Sequence, residues 1–239
     1  MVEQITAMHM SDGLVNIPTA ALSGAVAAIG LALALSRARR DLDDRTAPMA
    51  GLVTAFVFAV QMINFPILPG ASGHLLGGAL VAILVGPWVG SLCIAIVLVV
   101  QALLFADGGL TTLGANITNM ALISVFVGYG VAMALRGLAR RGRAGLVATA
   151  FLAALVGTVG ASLGFVVEYA IGGAAGAPLG TVFALMVGLH ILIGIGEGVI
   201  TAATVGAVAA IRPDLVYLLR GTAAPLQLRH TATTDGSSS

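Results

Sequence analysis

The chain has 239 residues, 59% of them hydrophobic and 9% charged, with a formal net charge of +1. Soluble domains carry about a quarter charged residues, and a globule of this size has too little interior to hide so much apolar surface, which excludes a water-soluble protein. All eleven basic residues are Arg, so nucleic acid would find no broad cationic face and a Walker-type phosphate loop would lack its Lys.

A bilayer-spanning helix needs about 20 apolar residues, which gives the chain room for about six to eight spans. The first residues, MVEQITAMHMSDGLVN, have neither the basic start nor the apolar stretch of a signal peptide. Residues 17–36 are apolar and rich in small residues, and they exit through RARRDLDDRT at 37–46. This is the first span. A second apolar run covers 48–64. FPILPGASG at 65–73 holds prolines and glycines that cannot continue a helix, so it reads as an irregular loop. The stretch 74–105 is apolar except for Gly86-Pro87. Three more runs follow at 115–135, 144–171 and 179–211, the last two separated by GGAAGAP. The lone Cys93 lies within an apolar run and reads as a buried packing residue.

Arginine placement decides how often 74–105 crosses. The arginines cluster at 37–45, 136–143 and 212–229, and Arg accumulates in cytoplasmic loops. Equal sidedness of the clusters requires an even number of spans between neighbours, so 74–105 crosses twice and turns near Gly86-Pro87. The expected fold is all-α and polytopic, with about seven transmembrane helices, the amino terminus outside and the carboxyl terminus cytoplasmic. The two middle spans come out short, about fifteen residues each. Residues 8–211 form one transmembrane domain, and 212–239 form a cytoplasmic tail whose polar end reads as disordered.

The same parity gathers 8–16, 65–74 and 106–119 on the outer face. Those stretches hold His9, Asp12, Ser72, His74, Asp107, Asn116 and Asn119. Imidazole is the commonest side-chain ligand for late first-row divalent metals. If the mature chain begins at Met8, its amine, the His9 amide nitrogen and the His9 imidazole can chelate one ion in fused rings, with His74 supplying a fourth nitrogen. Such a tetragonal site suits Ni(II) or Cu(II), with Co(II) possible, and disfavours tetrahedral Zn(II). The bland alternative is that both histidines are interfacial polar residues.

Other residues carry rival readings. Ser72 in GASG has the nucleophile context of rhomboid-type intramembrane serine proteases, with His190 as the partner. His190 and Glu197 share one face of the last span, where they could relay protons in an ion-coupled secondary transporter or simply be hydrogen-bonded for structure. Glu168 lies near the outer end of its span, within reach of water. Ala20, Gly24, Ala28 and Ala32 have the small-xxx-small spacing of close helix contacts, within the chain or against another membrane protein.

Four segments resemble the CbiM/NikM family, the substrate-capture (S) components of energy-coupling factor (ECF) transporters for cobalt and nickel. They are MHMSDGLV at 8–15, QMINFPILPGASGHLLGGALVAILVGPW at 61–88, QALLFADGGLTTLGANITNMA at 101–121, and HILIGIGEGVITA at 190–202. The resemblance implies metal ligands at Met8, His9 and His74, with seven spans and an outward amino terminus. It also suggests that Asp12, Ser72, Asn116 and Asn119 orient the ligands. No permanent cofactor is implied; Co(II) or Ni(II) is cargo. The implied partners are a transmembrane coupling (T) subunit, ATPase subunits and a small accessory membrane subunit, in the cell membrane. Met10-Ser11 stands where the family usually has Ile-Pro. MVEQITA, residues 1–7, would turn the Met8 amine into an amide and is read as an extension ahead of the true start.

Overall fold

The computed structural model describes residues 9–44, 46–63, 65–68 and 71–220, with the backbone alone at 65–68 and 71–73. Helix α1, Ile17–Asp41, opens on Asn16, whose side chain accepts from Thr19 N at 3.0 Å. It continues past the apolar run because Arg is a good helix former, and Arg39 and Arg40 in its last turn complement the helix dipole. Helix α2, Thr46–Gln61, is begun by Asp43, which accepts from Thr46 N at 2.6 Å.

Residues 65–73 are more ordered than the sequence suggests. Strands β1, Phe65–Leu68, and β2, Ala71–Gly73, pair antiparallel with Pro66 opposite Ser72. Proline breaks a helix but is tolerated in a two-stranded ribbon, where every strand is an edge.

The stretch 74–105 does turn at Gly86-Pro87, but unequally. Helix α3, Gly78–Val85, has 8 residues, all buried, and α4, Pro87–Leu104, has 18. The expected pair of similar spans is corrected by Gly77, which lies in the left-handed region (φ +80°) and delays the start of α3. GALVAILV is apolar all round, the pattern of a helix enclosed by others, and α2, α4, α6, α8 and α9 enclose it.

A continuous rod, Leu113–Ala134, comprises α5 (Leu113–Asn116), a π-helical segment (Ile117–Ile123) and α6 (Ser124–Ala134). After the short α7, Arg136–Ala139, come α8, Arg143–Gly172, and α9, Leu179–Ile211. Five of these rods, α1, α4, Leu113–Ala134, α8 and α9, are long and apolar enough to cross a membrane. The shorter α2 and the enclosed α3 bring the rods among the described residues to seven.

Close small-residue packing occurs between α8 and α9 as well as on α1. A Cβ on Gly194 would come within 2.9 Å of Leu155, on Gly198 within 2.6 Å of Phe151, and on Gly206 within 3.0 Å of Val147. With buried Ala202, these recur every four residues and let the helices approach closely. On α1, Gly24 packs against Gly114, whereas Ala28 and Ala32 are exposed. Cys93 is buried.

The two ends of the bundle carry different chemistry. At one, Arg37 lies 5.4 Å over the Trp88 ring, and Arg136 donates to Leu218 O (3.2 Å) and Arg220 O (2.8 Å). Arg220 donates in turn to Thr46 Oγ1 at 2.6 Å. Thus 213–219, expected within the tail, form two 3-10 turns with Val216 and Leu218 buried. The end of the tail, 221–239, lies outside the described residues. At the other end stand the histidines.

Candidate metal centre

Residues 9–16 form a strap across the histidine end, tied at both flanks. Downstream, Asn16 N donates to Gly172 O at 2.7 Å and Ala174 N to Leu14 O at 2.9 Å. Upstream, the backbone of Met10 is clasped by the loop after α4. The Asn116 amide meets it as a paired donor and acceptor, taking Met10 N–H at 2.7 Å and giving to Met10 O at 3.1 Å. Thr112 Oγ1 (2.6 Å) and Gly109 N (3.0 Å) donate to the same carbonyl. Asp12 accepts from Thr111 N at 2.8 Å and from its hydroxyl; these bonds hold its carboxyl below the usual carboxylate range.

The glycines of this loop are required by proximity. A Cβ on Gly108, whose φ is +90°, would come within 2.9 Å of His9 Cβ, and one on Gly109 would collide with Asp12 and Thr112. Ala106 adopts φ +52°, a strained conformation for a side-chain-bearing residue that costs about 1 kcal/mol. It immediately precedes Asp107.

His9 and His74 come together in this cradle. Both are 2% exposed, and their ring centroids lie 4.7 Å apart. His9 Nδ1 bonds Asp107 Oδ1 at 2.9 Å, and this contact lowers the Asp107 carboxyl from its ordinary value. His74 Nδ1 donates to Leu75 O at 2.9 Å, while burial, reinforced by His9, pushes its imidazole down to about 3. It is therefore a neutral, ligand-competent base at neutral pH. The Nε2 atoms of both rings are buried without a hydrogen-bond partner, although buried polar atoms are nearly always bonded. Two lone pairs are left open. Among the described residues no three His, Cys, Asp or Glu side chains converge as a closed metal site, so an ion here would need further donors from the backbone.

The remaining candidates fall elsewhere or beyond view. Asn119 donates to Glu168 Oε2 at 2.6 Å, and Ser23 to its Oε1 at 2.7 Å. Glu168 is therefore enclosed, at 8% exposure, instead of reaching water as its position suggested. Met8 and the 1–7 extension lie outside the described residues, as does the Ser72 side chain. His190 donates Nδ1–H to Met186 O on its own helix at 2.7 Å. Glu197 accepts from Leu76 N, Gly77 N and Thr158 Oγ1. These bonds tie His190 to its own helix and Glu197 to the segment after His74, which favours hydrogen-bonded roles over a proton relay. Asp107, which meets His9, had no role assigned from the sequence; its position before Gly108-Gly109 was the available signal.

A multi-pass bundle with two buried imidazoles side by side at one end is suited to a membrane transport component. Residues 9–215 match the family described as the cobalt uptake substrate-specific transmembrane region, and the chain belongs to that family. It is 33% identical over 220 residues to the cobalt transport protein CbiM of Sorangium cellulosum, covering 89% of this chain and 96% of that one. It is 34% identical over 231 residues to the fused nickel transport protein NikMN of Rhodobacter capsulatus, covering 91% and 66% respectively. A crystal structure of a transition metal transporter superposes with a TM-score of 0.78 at 30% identity, covering 90% of this chain and all of the other.

Proposed function

We propose that this chain captures Ni(II) or Co(II) on the outer face for an ECF-type importer, through four nitrogens: the Met8 amine, the His9 amide, the His9 imidazole and His74 Nε2. The carrying observation is the pair of buried imidazoles 4.7 Å apart, with His74 Nε2 unbonded. Metal–nitrogen bonds are about 2 Å, so rings this close can share one ion. Amide and imidazole of the same residue close a six-membered ring only through Nδ1, the atom now on Asp107. Loading would therefore turn the His9 ring over and shift its proton from Nδ1 to Nε2, so that Nδ1 could hold the metal and Nε2–H donate to Asp107, the carboxylate–imidazole–metal pattern. Asp12 and Asn116 hold the strap in register, and Ser72 stands in the hairpin leading to His74.

The amino terminus and this cradle face outward, and the arginine end faces the cytoplasm. There a coupling subunit, two ATPase subunits and a small accessory membrane subunit supply the energy and reorient the loaded chain. Tetragonal nitrogen donors suit nickel and cobalt alike; the relatives' names include both.

The amine is the sharpest test. A protein whose sequenced first residue is Met8 should bind one Ni(II) and lose at least a thousandfold in affinity, by isothermal calorimetry, when a single Ala precedes Met8 or when His9 becomes Ala. Equal binding by a chain proven to begin at Met1 overturns the four-nitrogen site.

A further inference from the structure

The geometry points to Glu197 as a positioning residue that sets both the aim and the donor strength of the His74 imidazole, acting through a single peptide group. This inference rests on the reading of His74 as a metal ligand. The peptide joining Leu75 to Leu76 is held at both ends. Its carbonyl accepts His74 Nδ1–H at 2.9 Å, and its N–H donates to Glu197 Oε2 at 2.9 Å. The next N–H, on Gly77, donates to Oε1 at 3.0 Å, so the carboxylate grips two successive backbone groups. Both N–H groups thus point at one carboxylate just ahead of the left-handed turn at Gly77.

Nearby side chains fix the grip. Thr158 Oγ1 on α8 donates to Glu197 Oε2 at 3.0 Å, and Gln61 Nε2 on α2 donates to Leu76 O at 2.7 Å. Helices α2 and α9, far apart in sequence, thus converge on Leu76, and α8 braces the carboxylate that holds it. Glu197 itself is 1% exposed, and an ionisable group at this depth of a membrane protein is a functional suspect by default.

Hydrogen bonds in series polarise one another. A carboxylate accepting the Leu76 N–H strengthens the Leu75 carbonyl as an acceptor, which draws on His74 Nδ1–H and raises electron density at Nε2. Metal-binding histidines commonly donate their second N–H to a carboxylate for this purpose; here one peptide is interposed. The same bonds fix the Nδ1–H tautomer, leaving Nε2 as the ligand atom.

Ni(II) binding to Glu197→Gln, measured in the wild-type background and again with His74→Ala, tests the relay. Glutamine keeps one acceptor but turns an N–H donor toward the other backbone N–H. In the wild-type background the affinity should fall about tenfold to a hundredfold, and the visible absorption band of bound Ni(II) should move to longer wavelength as the ligand field weakens. With His74→Ala, the same substitution should have no further effect on the residual binding. An equal loss in both backgrounds, or no loss and no spectral shift with His74 present, overturns the inference. If His74→Ala alone leaves affinity and spectrum unchanged, it is the ligand reading that fails. Should Glu197→Gln not fold, Thr158→Val gives the same comparison: a smaller loss confined to the His74-containing background is expected, and an equal loss in both refutes the relay.

Discussion

The histidine end and the arginine end of this bundle hold their polar groups to opposite standards. At the arginine end the buried work is finished: Arg136 satisfies Leu218 O and Arg220 O, and Arg220 reaches Thr46. At the histidine end, six bonds to Asp107, Thr111, Thr112 and Asn116 tie His9, Met10 and Asp12 of the strap, yet His9 Nε2 and His74 Nε2 remain open. An unmet buried polar atom costs about 1–3 kcal/mol. Backbone support of the strap beside an open His74 nitrogen suits a ligand site, because the bonds that hold the strap and aim His74 are in place before the ion arrives.

The largest effect that separates the ends is pH. His74 is held near 3 by burial, so in the neutral range it already lacks a proton and releases none on binding. The proposed Met8 ammonium, with a terminal pKa of about 7.7–8, and the His9 amide must each give one up. Affinity should therefore rise with pH, about a hundredfold per unit below the amine's pKa. Calorimetry in buffers of different ionisation enthalpy should count about two protons released per Ni(II). A slope of one proton would remove either the amine or the amide from the ligand set.

Asn116 tests the clasp. Truncation to Ala leaves Met10 N–H buried without its acceptor, while Met10 O keeps Thr112 Oγ1 and Gly109 N. Ni(II) affinity should fall about tenfold, and Asn116→Asp, which keeps the acceptor for Met10 N–H, should recover part of it. Full affinity in Asn116→Ala would show that the strap is held well enough without it.

How much of this could be read in the sequence depended on whether a feature has a local signature. Helix α9 was placed at its observed bounds because GGAAGAP and the following Pro213 frame a single apolar run. The meeting of His9, His74, Asp107 and Asn116 at one end followed from counting arginine clusters, a global constraint that needs no contact information. The length of α3 did not follow, since it depends on the left-handed turn at Gly77, where the Val57 methyls leave no room for a Cβ and Glu197 holds the N–H. Glu197 was visible as a buried acid, but its partners are backbone N–H groups, and these carry no residue identity. The hairpin at 65–73 was hidden for a related reason: Pro and Gly announce only that a helix stops.

Arg136 should show the smallest effect, and on a different observable. Replacing it with Gln removes the guanidinium bonds to Leu218 O and Arg220 O. The group is partly exposed, so the expected loss of thermal stability is about 1 kcal/mol, read as a lower melting midpoint in detergent. Ni(II) affinity should stay within about twofold, because sites that share no partners act additively. A tenfold change in affinity from this substitution would mean that the two ends are coupled through α3, which packs between them against α4, α6 and the turn at Tyr217. The open nitrogens at one end would then depend on the closed bonds at the other.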